Sequence, residues 1–275
     1  MQETIVMCTP EGFAVNYEIN PWMQHHVGDV SSELANCQWR GLFDKLSLLA
    51  DVKLMHGDVA WPDLVFTANA GLPLAREKKI ILSNFKHPQR QGEKAINRDW
   101  FEAAGWTCIS LPDDVFFEGA GDALFDAAGR LWVGNGLRSD AIIATLLAAY
   151  IATPVHRLDL IDPRFYHLDT CFCPLPDGRA LYLPSAFSES SRELLTRSFG
   201  DKLISLTIEE GQQFCANAVC AGRVIILNKA TPRLQQLLEG LGFSIIETPL
   251  TEFMKSGGSA KCLTLNLAGW ANRID

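Results

Sequence analysis

The chain has 275 residues, 48% of them hydrophobic and 20% charged, and a formal net charge of −8. That size suits one large domain or two modest ones, and the composition is that of an ordinary soluble globular protein with ample core and no disordered tract. The acidic balance argues against nucleic acid, whose binders need a basic face, and is compatible with a small cationic substrate.

In chain order, an apolar strand is expected at residues 4–8 and a helix at 31–49. A loose hairpin follows, with arms at 64–71 and 80–82, then a helix at 93–104 and a strand at 107–111. The next unit is a hairpin at 124–133, a helix at 140–151 and a strand at 155–158. A third comprises a hairpin at 171–183, a helix at 188–199 and a strand at 202–206. The fourth has a hairpin at 218–227, a helix at 231–241 opening with Pro232, and a strand at 244–247; an apolar strand at 262–267 closes the chain. Gly129, Gly178 and Gly222 supply the positive φ of tight turns between β-rich runs. Arg76, Arg130, Arg179 and Arg223 mark the turns, a period of roughly 50 residues that implies radial or stacked repetition. The two chain ends complete a fifth unit. Five β-β-α-β units closed through both termini leave no open sheet edge, which favours an α/β propeller over a flat α/β sheet with hairpin insertions. Residues 1–275 then form one domain.

Residues 1–8 carry no basic region and no long apolar run, so no signal peptide is expected. No stretch approaches the roughly 18 apolar residues of a membrane span. The eight cysteines stand mostly in apolar strand-like runs, where a free thiol behaves as a small hydrophobe, and reduced thiols in a cytoplasmic protein are expected. There is no C-x-x-C pair, and Cys171-x-Cys173 alternates along a strand, so no metal and no cofactor are expected. Monomer and homo-oligomer are equally compatible with the sequence.

Polar oddities recur at matched phases of the units. Asp63 follows Pro62, Glu118 stands between Phe116-Phe117 and Gly119-Ala120-Gly121-Asp122, His167 lies in Tyr166-His167-Leu168-Asp169, and Asn217 in Cys215-Ala216-Asn217-Ala218. A propeller would point them at its central axis. Singly, a turn cap or a hydrogen-bonded core His explains most of them; Glu118 is harder to dismiss, because a carboxylate among apolar neighbours needs a partner. Cys262 stands in Gly257-Gly258-Ser259-Ala260-Lys261-Cys262, read as an exposed small-residue turn whose thiol should alkylate rapidly and be protected by arginine. A thiol, a distant His and several carboxylates are the parts of a Cys-nucleophile enzyme.

Pro62-Asp63-Leu64-Val65-Phe66-Thr67, Phe117-Glu118-Gly119-Ala120-Gly121-Asp122, His167-Leu168-Asp169 and Gly257-Gly258-Ser259-Ala260-Lys261-Cys262 resemble the motifs of the guanidine-modifying superfamily. It includes arginine deiminases, dimethylarginine dimethylaminohydrolases, amidinotransferases and arginine dihydrolases. The resemblance covers nearly the whole chain and implies a five-bladed pseudo-symmetric α/β propeller, the pentein fold. It implies Cys262 as nucleophile, His167 as proton carrier and Glu118 as the group that orients His167 and holds guanidinium nitrogens. It implies Asp169 as a guanidinium acceptor, Asp63 as a second acceptor or a group that shapes the pocket, Arg138 and, less directly, Arg90 as binders of the substrate carboxylate, and Asn20 in an N-terminal substrate loop. A guanidinium suits such a site, since its planar fork of N–H bonds matches carboxylates.

The chain departs from the deiminase pattern at Asn69, where those enzymes carry an acid and the dihydrolase branch carries Asn. A carboxylate repels the oxygen of a neutral urea, whereas an amide both donates and accepts and can turn to hold arginine and then citrulline. The resemblance therefore implies an arginine dihydrolase that forms ornithine, ammonia and CO2. The alternatives are a citrulline hydrolase, an arginine deiminase, a dimethylarginine hydrolase or an amidinotransferase. A ribosome-binding propeller of the same fold is a non-enzymatic alternative, and it predicts a more basic face.

Overall fold

The computed structural model describes residues 3–267; Met1 and Gln2, at the head of the stretch read as leaderless, lie outside them. The chain enters as β1 (Thr4–Cys8), runs through helix Ser32–Ser47 and returns parallel to β1 as β2 (Asp51–Met55). Ser31 caps that helix by accepting from the Leu34 amide, and Ala35, Gln38, Trp39, Leu42 and Leu46, three or four apart, form its buried face. The next unit pairs β3 (Gly71–Leu74) antiparallel with β4 (Lys79–Leu82), crosses through helix Glu93–Ala103 and adds β5 (Thr107–Ile109) in parallel. The pattern repeats in β6 (Ala123–Phe125), β7 (Leu131–Asn135) and β8 (Val155–Asp159). It repeats in β9 (Phe172–Pro174), β10 (Ala180–Tyr182) and β11 (Leu203–Ser205), and again in β12 (Val219–Ala221), β13 (Val224–Leu227) and β14 (Ser244–Glu247).

The last strand, β15 (Leu265–Asn266), pairs antiparallel with β1, Ile5 opposite Asn266, and so completes the unit begun at the N-terminus. Among the described residues five three-stranded sheets result, each an antiparallel pair plus a parallel third strand, and in four of them the pair is a hairpin. The protein is a five-bladed α/β propeller closed by its two ends. Residues from β3, β6, β9, β12 and β15 together line an axial cavity of about 120 Å³. In the turn between β6 and β7, Gly129 takes φ 77°, and Asp126 Oδ1 accepts from the amides of Ala128 and Arg130.

Four expectations are corrected. Residues 62–70, read partly as a strand, form two 3-10 turns, Pro62–Val65 and Thr67–Ala70, so pairing starts only at Gly71. The helix expected at 140–151 is confined to Ile143–Ala148. The closing strand expected from Cys262 begins at Leu265, because Cys262 is still in a turn. That turn is not exposed: Cys262 is 3% accessible, and a Cβ on Gly258 would fall 2.4 Å from the Phe66 ring, so these glycines permit close packing.

Candidate active site

Each blade delivers one polar side chain from the segment that leads into its first strand. Asn69 lies just before β3, Glu118 before the turn that leads into β6, His167 before that of β9, Asn217 before β12 and Cys262 before β15. The 3-10 turns Gly119–Gly121 and Leu168–Thr170 bend the chain tightly enough to bring these residues together at one end of the axis. Asn20, Asp63, Asn69, Arg90, Arg138, His167 and Cys262 line a single cavity there. Glu118 and Asp169, both wholly buried, bond to His167 and Cys262 respectively. The cavity holds about 10 Å³, roughly the room of one water molecule.

The thiol is held by an amide. Asn217 Nδ2 donates to Cys262 Sγ at 3.0 Å, and Asn217 Oδ1 accepts from the amides of Ser259 and Cys262 at 3.1 Å each. The Asp169 carboxylate lies 3.5 and 3.7 Å from Sγ. Burial pushes the Cys262 thiol well above its ordinary range, and the Asp169 charge adds to that push. Burial also raises the Asp169 carboxyl to about 6, against the opposing pull of Lys261. This environment favours the protonated thiol, and a cation beside it would favour the thiolate.

His167 Nε2 meets Glu118 Oε2 at 2.7 Å, and Arg138 Nη1 donates to the same oxygen at 3.0 Å. Burial alone would raise the Glu118 carboxyl, but Arg138 and His167 outweigh it and hold the group well below the usual carboxylate range. Glu118 thus stays charged. Behind it, the Ser139 hydroxyl accepts from the Glu118 amide and donates to Asp122, which also accepts from the Leu168 amide. One buried carboxylate therefore ties the lead-in segments of two blades together.

The N-terminal segment that holds Tyr17, Ile19 and Asn20 packs against this cavity, and Ile19 and Asn20 line it. Asn20 caps its own turn, accepting from the Trp22 and Met23 amides, and its Nδ2 donates to the Ser256 carbonyl. Arg138 Nη2 donates to the Ile19 carbonyl, and its guanidinium lies over the Tyr166 ring, 4.4 Å from the centroid. The Tyr17 and Ser256 hydroxyls each donate to Asp63 at 2.9 Å.

The sequence gives Asn217 a phase and no role, and its bonds make it the holder of the thiol. Tyr17, Tyr166 and Ser256 carried no signal: Tyr17 and Ser256 reach Asp63 from 46 and 193 residues away, and only the fold brings them there. Gly121 leaves room for the Asn69 amide, because a Cβ there would sit 2.3 Å from Asn69 Nδ2. Gly121→Ala should cost about 1–3 kcal/mol of stability through overpacking. It should lower kcat at least tenfold by displacing a buried amide bonded on both edges. Melting curves and kcat on the purified variant test this; native kcat would mean that Asn69 has room to yield.

An α/β propeller of five blades with a thiol, an imidazole and buried carboxylates at one end of its axis defines the class, the guanidine-modifying enzymes. The chain belongs to the family described as N,N dimethylarginine dimethylhydrolase, eukaryotic, whose sequence profile matches residues 9–268. It is 47% identical over 264 residues to the bifunctional arginine dihydrolase/ornithine cyclodeaminase AgrE of Nostoc sp., covering 95% of this chain and 37% of AgrE. It is 35% identical over 262 residues to the N(G),N(G)-dimethylarginine dimethylaminohydrolase of Mycobacterium tuberculosis, covering 95% of this chain and 84% of that protein. The N-terminal domain of ArgZ, a cyanobacterial arginine dihydrolase, has been solved with substrate as a Cys-to-Ser variant. It superposes with a TM-score of 0.95 at 45% identity, over 97% of this chain and 98% of that domain. The chain spans little more than a third of the length of the first curated relatives it matches.

Proposed function

We propose that the protein hydrolyses arginine twice at one site, releasing ornithine, two ammonia molecules and CO2. In the first round Cys262 Sγ attacks the guanidinium carbon, the bond to a terminal nitrogen breaks, and ammonia departs with a proton carried by His167. Water then adds to the adduct, His167 takes its proton, and the C–S bond breaks to leave citrulline and the thiol. In the second round the thiol attacks the ureido carbon, expels the second ammonia, and water releases a carbamate that loses CO2. Asp169 and Asp63 offer carboxylates to the guanidinium, Asn20 belongs to the N-terminal segment that packs against the cavity, and Arg138 is the candidate partner of the substrate carboxylate.

The observation that carries this reading is Asn69, an amide lining the cavity that holds Cys262 and His167. A carboxylate there would face the citrulline oxygen lone pair to lone pair, at a cost on the order of a kilocalorie per mole or more. The relatives named arginine dihydrolase, AgrE and ArgZ, support the same reading at 47% and 46% identity. The site needs no metal or cofactor for these steps, and its ligand is a small cationic amino acid. All eight cysteines are free, which fits the reducing environment of the cytoplasm.

Product analysis tests the proposal. The native protein should convert arginine to ornithine with little free citrulline, and should consume added citrulline. Asn69→Asp should still consume arginine but stop at citrulline. Native protein that accumulates citrulline and leaves added citrulline untouched would be a deiminase; preference for dimethylarginine would align it with the Mycobacterium tuberculosis relative.

A further inference from the structure

The Asn69 amide is not free to turn. Its Oδ1 accepts from Arg90 Nη1 at 3.0 Å, and its Nδ2 donates to the Glu118 carbonyl at 3.0 Å. A guanidinium has no acceptor and a carbonyl has no donor, so flipping the amide would set donor against donor at one edge and acceptor against acceptor at the other. Arg90 is itself held. Its Nε and Nη2 form a two-point pair with Glu93 at 2.8 Å each, Nη2 also donates to the Asp63 carbonyl, and its plane lies 4.6 Å from the Phe85 ring centroid. Four of its five N–H donors are thereby committed. A substrate carboxylate could use at most one, which rules out a two-point grip by Arg90. Arg138, with one N–H on Glu118 and one on Ile19, keeps three in reserve.

The locked amide has a direction. The position that a Cβ on Gly121 would take is 2.3 Å from Asn69 Nδ2 and 3.5 Å from both Asn69 Cγ and His167 Cγ. The nitrogen edge of the amide is therefore turned toward the His167 side, and the oxygen edge toward Arg90. Glu118 takes one Nδ2 hydrogen, which leaves one N–H for a ligand. An N–H at that place opposes a guanidinium N–H and matches a carbonyl oxygen.

From this we infer that Arg90 is a specificity-determining positioning residue. With Glu93 as its counter-ion, it fixes Asn69 as a hydrogen-bond donor, so that the ureido oxygen formed in the first hydrolysis is gripped and the second follows. The inference rests on the dihydrolase reading, and it departs from the sequence expectation that the amide rotates between substrates.

The test is the fate of the intermediate. Arg90→Lys keeps a charge near Glu93 but cannot also hold Asn69; Arg90→Met with Glu93→Met removes both buried charges. With guanidino-labelled arginine, both variants should raise the ratio of citrulline released to ornithine formed by on the order of tenfold or more, the worth of a charged hydrogen bond. In a Cys262→Ala background, calorimetry should show Arg90→Lys weakening citrulline relative to arginine by a similar factor. A purely structural role would not move either ratio. If the product ratio and the relative affinities stay native while KM rises for arginine and citrulline but not for agmatine, Arg90 is a carboxylate binder and the inference falls. If the native protein itself makes only citrulline, the dihydrolase reading fails before Arg90 is tested, and the calorimetric comparison still reports whether Arg90 sets the donor.

Discussion

Cys262→Ser is expected to lower turnover on arginine by on the order of a hundredfold or more while the fold survives, because a serine hydroxyl is far less acidic than a thiol and a far poorer nucleophile. The substitution is nearly isosteric, and Asn217 can donate to Oγ as it does to Sγ, so stability should change by no more than about 1 kcal/mol. The native protein should yield a covalent adduct on acid quench during turnover, detected by mass spectrometry on the peptide containing Cys262, and the variant none. Turnover within tenfold of native would assign the attack to another group. The same environment sets a pH dependence. Burial and Asp169 raise the thiol, so the protonated form prevails below that raised value and the thiolate appears only as pH climbs through it. A neutral haloacetamide should therefore label Cys262 slowly at pH 7 and faster with each rise in pH. This reverses the rapid labelling expected of an exposed turn.

The fold was largely legible because each middle unit writes its own boundaries: a β-rich run, a turn glycine, a second β-rich run, then a capped amphipathic helix. The unit that spans both ends was read less completely. Its third strand, Asp51–Met55, was not recognised, because Lys53 and Leu54 are exposed, and the segment resembles a polar connection until β1 pairs with it. The turn holding Cys262 was misread for a related reason. Glycine and serine usually signal a solvated loop, yet here they make space for the Phe66 ring and for the amides that bond to Asn217.

The site was legible where repetition gave a phase and illegible where it depended on distance. Glu118, His167 and Asn217 occupy equivalent lead-in positions, and that shared phase alone aims them at the axis. The resemblance offers Arg90 only as a carboxylate binder and says nothing of its partners: Glu93 is three residues away, whereas the Asp63 carbonyl and Asn69 come from two other turns. A guanidinium in a substrate cavity suggests an anion binder until its donors are counted.

His167→Ala carries the other large expected effect. Glu118 cannot supply protons near neutrality, because Arg138 and His167 hold it in the charged form. Asp169, raised to about 6, is ionised above that pH and already accepts from Cys262, so near neutrality it has no proton to give. That leaves the imidazole as the group able both to give a proton to departing ammonia and to take one from the incoming water. Its loss should slow formation and breakdown of the thiol adduct together, by on the order of a hundredfold or more. Because both steps slow, the adduct should not accumulate above its native steady-state level. Glu118 would keep Arg138 as a counter-ion at 3.0 Å, so the buried carboxylate would stay paired and the variant should remain folded. Rapid-quench measurement of the adduct, set beside the pH–rate profile of kcat, separates the outcomes. An unchanged profile with native turnover would mean that another group moves the protons. An adduct that builds up while its formation stays fast would restrict His167 to activating water.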